Sequence, residues 1–361
     1  MMIITLVIVA ALFLAFANGA NDNFKGFATV WGSATLDYRK ALIIATLAAL
    51  AGSLLSILLA HGLVKQFSGK GLVPDEIVAL PSFALAVASG AAAAVMIATR
   101  VGLPISTTHA LVGGLIGAGL ASSAGAVDVG NLGSAFILPL LVSPFVSAFI
   151  GYLVYRFLPE RNINKDCICV VKTAPQATVD GTMKRALAMP AVIIDTDEAC
   201  AVHGSEATRA SVSKTLNSAH IASAATICFA RSVNDTPKLA GLMVVVNVGN
   251  TNLSLIAIAI AVALGGLLLS RRVAETMSQK ITTLTPTQGL TANLTTAALV
   301  LAASFKSLPV STTHVSVGAI TGVGAGAQTL SGSTVRTILL SWVGTLPLAG
   351  AIAWIVMTLA A

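Results

Sequence analysis

Ser106-Thr107-Thr108-His109 follows Leu103-Pro104-Ile105, and Ser311-Thr312-Thr313-His314 follows Leu308-Pro309-Val310. Proline disfavours helix in the residue before it, and Ser and Thr are favoured where helices begin, so each knot predicts a helix start with three hydroxyls at its mouth. A helix start offers unpaired N–H groups and the positive end of the peptide dipole, which together suit an anion. Two such starts meeting could surround a tetrahedral oxyanion with donors. Ordinary capping of two buried helices is the simpler reading. The recurrence of three consecutive hydroxyls favours an anion site at Ser106, Thr107, Thr108, Ser311, Thr312 and Thr313. His109 and His314 would be donors or proton relays in a functional reading, but a satisfied structural histidine is the expectation one turn inside a helix.

A second pair of motifs carries carboxylates. NGANDNFKGFA at 18–28 and RSVNDTPKLAG at 231–241 match at Asn21/Asn234, Asp22/Asp235 and Lys25/Lys238, each 213 positions apart. An ionised group near the middle of a membrane costs roughly 2.5–3.5 kcal/mol on insertion scales, so Asp22 and Asp235 need a reason to be there. Glycines 19 and 26 in one motif, and Pro237 and Gly241 in the other, predict an interrupted helix. The freed carbonyls, with the Asn and Asp oxygens, would make hard ligands for a small cation. Asn18, Asp22, Asn23 and Asp235 are the candidate ligands of that cation. Lys25, Lys238, Arg100 and Lys306 could attract an anion, but snorkelling to the interface is their expected role.

The elements that must position these groups are membrane helices. The chain has 361 residues, 56% of them apolar and 10% charged, with mean hydropathy +0.89, which points to lipid as the solvent and not to two or three soluble domains. Apolar runs recur often enough for about ten to twelve membrane helices or re-entrant elements, an all-α polytopic membrane protein. Leu239–Ser270 is too long for one span, and its polar middle, 247–252, predicts a bend or a division. The first run has no basic residue before Lys25, so it reads as a retained helix and not a cleaved signal.

The net charge of +7 comes from basic residues scattered between spans, without the aromatic interleaving of a nucleic-acid surface. Cys167, Cys169, Cys200 and Cys228 form no paired C-x-x-C framework; reduced thiols are the expectation over a metal site with His203.

The knots and the carboxylate motifs occur in the same order on both sides of a charged segment. This predicts a duplication, with a first membrane repeat at 1–156, a hydrophilic cytoplasmic linker at 157–214 and a second repeat at 215–361. Five crossings per repeat would make the repeats inverted. Positive-inside reasoning places the linker in the cytoplasm with Arg39, Lys40 and Arg100, although Lys65 and Lys70 on the other side count against this. The glycine-rich runs 113–119 and 318–326 read as helix-packing surfaces, because neither contains the G-K-[ST] of a phosphate loop.

GAND at 19–22, VND at 233–235 and the paired P-[IV]-S-T-T-H motifs resemble the inorganic phosphate transporter (PiT) family. The resemblance covers both membrane halves and not the linker. It implies an inverted-repeat secondary transporter that imports phosphate with sodium or, in other members, protons; some relatives carry sulfate. It also implies that Asn21, Asp22, Asn234 and Asp235 belong to the ion and substrate centre, with the knot hydroxyls lining the phosphate site. The second motif departs from the family's GGND, placing Arg231 and Ser232 where small residues are usual. Acidic residues that many animal members carry are also absent, near 47–51 and near Asn293.

Sodium held by Asp22 and Asp235 is the expected coupling ion, with no other cofactor. The expected cycle binds cations first and phosphate second, with one repeat-derived bundle moving against the other in the cell (plasma or inner) membrane. Alternatives are a proton-coupled phosphate or sulfate permease and a passive anion channel. A Ser-His-Asp membrane enzyme is disfavoured because the chain has neither a G-x-S-x-G elbow nor H-E-x-x-H. A homodimer fits such a carrier, although no single residue marks one.

Overall fold

The structure is a computed structural model that describes residues 2–59, 69, 71–122, 127–157, 166–172, 190–202, 208–245, 251–306 and 310–360. Lys65, Lys70, His203, Leu308 and Pro309 lie outside the described residues. Ten helices of fifteen residues or more account for most of the remainder. In the first half they are α1 (Met2–Asp22), α2 (Tyr38–Leu59), α3 (Pro81–Val101), α4 (Thr107–Ala121) and α5 (Leu138–Phe157). In the second half they are α6 (Val212–Val245), α7 (Thr251–Leu269), α8 (Pro286–Phe305), α9 (Thr312–Gly326) and α10 (Gly332–Ala360).

Among the described residues, six helical segments are long and apolar enough to cross a membrane, at Met2–Gly32, Tyr38–Ser56, Pro81–Val101, Val129–Phe157, Asn252–Leu269 and Gly332–Ala360. Their outward faces are apolar: Leu141, Phe145, Phe149, Val343 and Leu359 are all exposed, as lipid-facing side chains would be. The protein is a helical polytopic membrane protein.

Local chemistry explains the helix boundaries that matter for the site. Pro81 opens α3, where its missing N–H costs nothing. Gly102 closes α3 in the left-handed conformation (φ 81°), donating back to the Ala98 and Thr99 carbonyls. Four residues later Ser106 caps α4, so the first knot is a tight joint between two helices. The polar middle of the long run after Leu239, where a bend or a division is expected, lies largely at 246–250, outside the described residues; α6 is described to Val245 and α7 from Thr251.

The chain forms two compact units. One comprises Met1–Phe157 with His220–Ala361, and the other Leu158–Ala219. Within the second unit, strands Cys167–Lys172, Pro190–Asp195 and Thr208–Ser211 pair antiparallel, with Cys167–Lys172 central. A short helix, Asp197–Val202, brings Cys200 against Cys167 and Cys169. The C-x-C spacing sets Cys167 and Cys169 on one face of their strand, but no spacing in the sequence marks Cys200 as their neighbour.

Glycine sets the packing of the membrane unit. A Cβ on Gly113 or Gly117 of α4 would collide with the carbonyls of Leu346 and Gly350 in α10. A Cβ on Gly318 or Gly322 of α9 would collide with those of Pro144 and Ala148 in α5. These are the close helix-packing surfaces expected of the glycine-rich runs. Each knot helix therefore packs on the last helix of the opposite half.

Candidate functional site

Both knots form helix starts. The Ser106 hydroxyl oxygen accepts the backbone N–H of His109 at 3.1 Å, and the Ser311 oxygen accepts that of His314 at 3.2 Å. Capping and site formation are thus shared out within each knot: the serine oxygen caps, while the threonines face a polar centre. Thr107 accepts from Asn18 (2.9 Å) and donates to Asp22 (3.4 Å), and Thr312 donates to Asp235 at 3.5 Å.

The carboxylate motifs meet the knots through their lysines. The Lys25 ammonium is ion-paired directly to Asp22 and donates to Asn21 Oδ1 (2.9 Å), the Ile105 carbonyl (2.8 Å) and Thr313 Oγ1 (2.6 Å). The Lys238 ammonium donates to Asp235 (3.1 Å), the Val310 carbonyl (3.3 Å) and Thr108 Oγ1 (3.2 Å). In both cases one carbonyl comes from the residue after the knot proline, and one hydroxyl comes from the last threonine of the other knot. The expected snorkelling of these lysines does not occur: Lys25 is 3% exposed and Lys238 2%. Arg100 and Lys306 are exposed.

Arg231 lies between the two carboxylates. Its Nη1 is 3.6 Å from Asp22 Oδ2 and 3.8 Å from Asp235 Oδ2, and its side chain is buried. None of its three guanidinium nitrogens has a hydrogen-bond acceptor among the described residues. Asp22, Lys25, Arg231, Asp235 and Lys238 are the buried Asp, Glu, Lys and Arg side chains of the described chain, and all five belong to this one cluster.

The interruption foreseen in the carboxylate motifs occurs in one half only. The first motif ends α1 at Asp22 and continues as a short 3-10 turn, Lys25–Phe27. In the second, α6 runs unbroken through Asp235 and Pro237. Proline removes one helix bond, but the remaining turns hold the helix. The carbonyls at the centre come from the knots and not from broken motif helices.

Asn21 Nδ2 donates to Thr99 Oγ1 (2.9 Å) and the Leu103 carbonyl (3.1 Å), while its Oδ1 also accepts the Ile105 N–H (3.2 Å), so it fastens the first knot to α1. Asn234 is buried beside Asp235. Asn18 Nδ2 lies 3.1 Å from Asp22 Oδ2. Asn23 lies elsewhere, donating to Thr46 on α2 at 2.7 Å. Asn293, where an acid was sought, bonds Thr29 (2.9 Å) and Ser223 (3.3 Å).

The knot histidines pack together with ring centroids 4.5 Å apart. His314 also stacks on Trp342 and bonds the Leu140 carbonyl at 3.0 Å. Trp342 in turn donates to the Pro104 carbonyl at 2.9 Å. These contacts support a structural role for the pair.

The phosphate transporter family profile matches residues 18–353. The chain belongs to the phosphate transporter family. Within the family it is 28% identical to a putative phosphate permease of Pyrococcus furiosus, over 98% of this chain and 95% of that one. It is 27% identical to a probable low-affinity inorganic phosphate transporter of Bacillus subtilis, over 98% and 97%. Among solved structures it resembles one described as the sodium-dependent phosphate transporter, with TM-score 0.76, 25% identity and coverage of 100% of this chain and 99% of that one. As a member of this transporter family the chain is not an enzyme.

Sequence reasoning missed Arg231 as a bridge and the lysines as core members of the site. The signal was present: Lys follows Asp by three positions in both motifs, and Arg231 stands 213 positions after Asn18, the same offset as the matched pairs.

Proposed function

We propose that this chain imports inorganic phosphate by alternating access, with the anion held by the threonines of both knots, the two helix starts and Arg231. The observation that carries the reading is the unbonded guanidinium of Arg231, buried where both knots converge. An arginine fork matches an oxyanion with paired N–H donors, and a buried one without acceptors is costly until an anion supplies them. The helices α4 and α9, at fifteen residues each, span about 22 Å and are shorter than the ~30 Å hydrocarbon layer, which supports helix starts lying at depth. The site is closed: Thr107 and Asp235, its most accessible members, are 6% exposed, so phosphate can enter only if helices part.

The matching order of helices and motifs supports two inverted repeats. The moving bodies are drawn from both halves, because α4 packs on α10 and α9 on α5. A cation gradient is the drive: the sequence favours sodium at Asp22 and Asp235, with Asn18 beside Asp22, and names protons as the alternative, while the structural neighbour is itself described as sodium-dependent. Asn23 would stand apart from that set.

The purified protein in proteoliposomes should accumulate labelled phosphate above its outside concentration under an imposed cation gradient, and Arg231→Gln should abolish that accumulation. Equilibration without accumulation would mean a channel, and uptake of sulfate but not phosphate would change the substrate.

A further inference from the structure

We infer that Lys25 and Lys238 are covalently tethered replacements for the coupling cations, so that phosphate enters without sodium. This inference rests on the phosphate reading above. Two carboxylates beside an anion route repel the anion unless cations offset them. Here the chain supplies its own. Each ammonium already fills an oxygen cage of the kind a small cation needs: a carboxylate oxygen, a knot carbonyl and a threonine hydroxyl, with an asparagine oxygen as well around Lys25. Arg231 adds a third positive charge against two carboxylates, leaving a surplus of one with no ion bound. A sodium ion entering either cage would have to displace a hydrogen-bonded ammonium or sit beside it, and like charges at such range repel strongly.

The energetic consequence differs from that of a bound ion. Sodium released on the far side contributes its gradient to uptake, whereas a lysine is never released. It neutralises the carboxylates in every cycle and couples transport to nothing. The residues that hold the anion therefore do not fit a sodium-driven carrier, and a proton gradient is the remaining drive among those the sequence reading named.

Two measurements on the full chain decide this. Phosphate uptake by proteoliposomes with an imposed pH gradient should be unchanged when choline replaces all sodium, and radioactive sodium should not bind the detergent-purified protein. Uptake lost in choline, or sodium bound in stoichiometric amount, overturns the inference. Opening the cages with Lys25→Asn and Lys238→Asn together should create sodium binding, and if that variant does not fold, the wild-type binding measurement still decides. Absence of phosphate uptake under every gradient defeats the transport reading instead, while sodium binding continues to report on the cages.

A separate observation in the Leu158–Ala219 unit carries a second proposal. The geometry points to a three-thiolate site for a soft metal cation, of the Zn²⁺ or Cu⁺ class, at Cys167, Cys169 and Cys200. Alternate residues of one strand place Cys167 and Cys169 on the same face, and the sulfurs of all three lie within 4.8 Å of one another. All three are at most 1% exposed. A single Cys200 sulfur faces two partners and can close a disulfide with only one. The buried apolar cluster of this unit consists, among the described residues, of these cysteines with Ile193 against them. So small a core needs a staple. Binding would release one proton from each thiol that coordinates.

Titrating the reduced full-length protein with Cd²⁺ should produce a thiolate-to-metal charge-transfer band at one ion per chain. Cys200→Ser should lose it and Cys228→Ser should keep it. No band, a band indifferent to Cys200, or Cys200 recovered in a disulfide from anaerobically purified protein overturns the site.

Discussion

In the first half Asn18 donates to Asp22 from one helical turn away; in the second half the equivalent position is Arg231, one turn before Asp235. Around this difference the halves agree closely. Each lysine takes its own knot's carbonyl and the other knot's last threonine, and each knot serine caps its helix. The paired lysine cages need no asymmetry. An anion does need it, because two equal cages facing two equal carboxylates leave no charge to spare. The Asn-to-Arg difference supplies that charge and directs it across both halves, since Arg231 pairs with Asp22 as well as Asp235.

The largest effect should come from erasing the difference. Arg231→Asn makes the second motif imitate the first, leaves two buried carboxylates with less compensation, and should destabilise the protein by about 3–5 kcal/mol with loss of phosphate uptake. Unfolding in detergent and tracer flux would measure the two. Arg231→Lys should recover stability better than transport, because an ammonium lacks the fork. Equal recovery would mean the guanidinium only offsets charge.

Comparing the lysines sharpens the symmetry. Lys25→Met and Lys238→Met should each cost several kcal/mol, also about 3–5. The cost should be greater for Lys25, whose contacts to oxygens other than Asp22 run from 2.6 to 2.9 Å against 3.2 and 3.3 Å for Lys238. The reverse order would show that the cages are not read correctly from their distances.

Smaller and equal effects are expected where the halves are alike. Gly117→Ala and Gly322→Ala should each cost about 1–3 kcal/mol by overpacking, and Ser106→Ala and Ser311→Ala about 1 kcal/mol each through the lost cap. Thermal unfolding of the four variants would test the match, and a clear inequality within either pair would break it.

The weakest effect lies where α1 and α6 begin differently. Near the start of α6, exposed Asp166 accepts the Ser213 N–H at 2.6 Å and hydroxyls of Ser213 (3.0 Å) and Ser211 (3.1 Å). The Ser213 N–H, followed by these hydroxyls, holds the Asp166 carboxyl below the usual carboxylate range. A depressed folded value means the contribution is present above the ordinary aspartate pKa and is lost as pH falls through the lowered one. Amide exchange at Ser213 should therefore accelerate in acid, and Asp166→Asn should remove that dependence.

The helical membrane class, the duplicated motifs and the helix starts at Ser106 and Ser311 were legible because each depends on local pattern: apolar length, recurrence, proline followed by hydroxyls. Burial of Lys25 and Lys238 was not, because a lysine near a helix end reads as an interfacial side chain until its distant partners, Thr313 and Thr108, are placed beside it. The direction of Asn23 toward Thr46 was hidden likewise, since adjacent residues on a turning backbone face different neighbours. The meeting of Cys200 with Cys167 and Cys169 depends on strand pairing across residues that share no motif.

The exchange of last helices has a consequence for how the chain is made. The glycine face of α4 has no cover until α10 emerges, more than two hundred residues later in translation. The first knot, tied to α1 through Asn21, must wait for that packing partner through most of synthesis, while α9 finds α5 already in place. A ribosome stalled before α10 would leave the α4 face at Gly113 and Gly117 bare while the glycine face of α9 was already packed on α5, and the bare face would belong to the half that was made first.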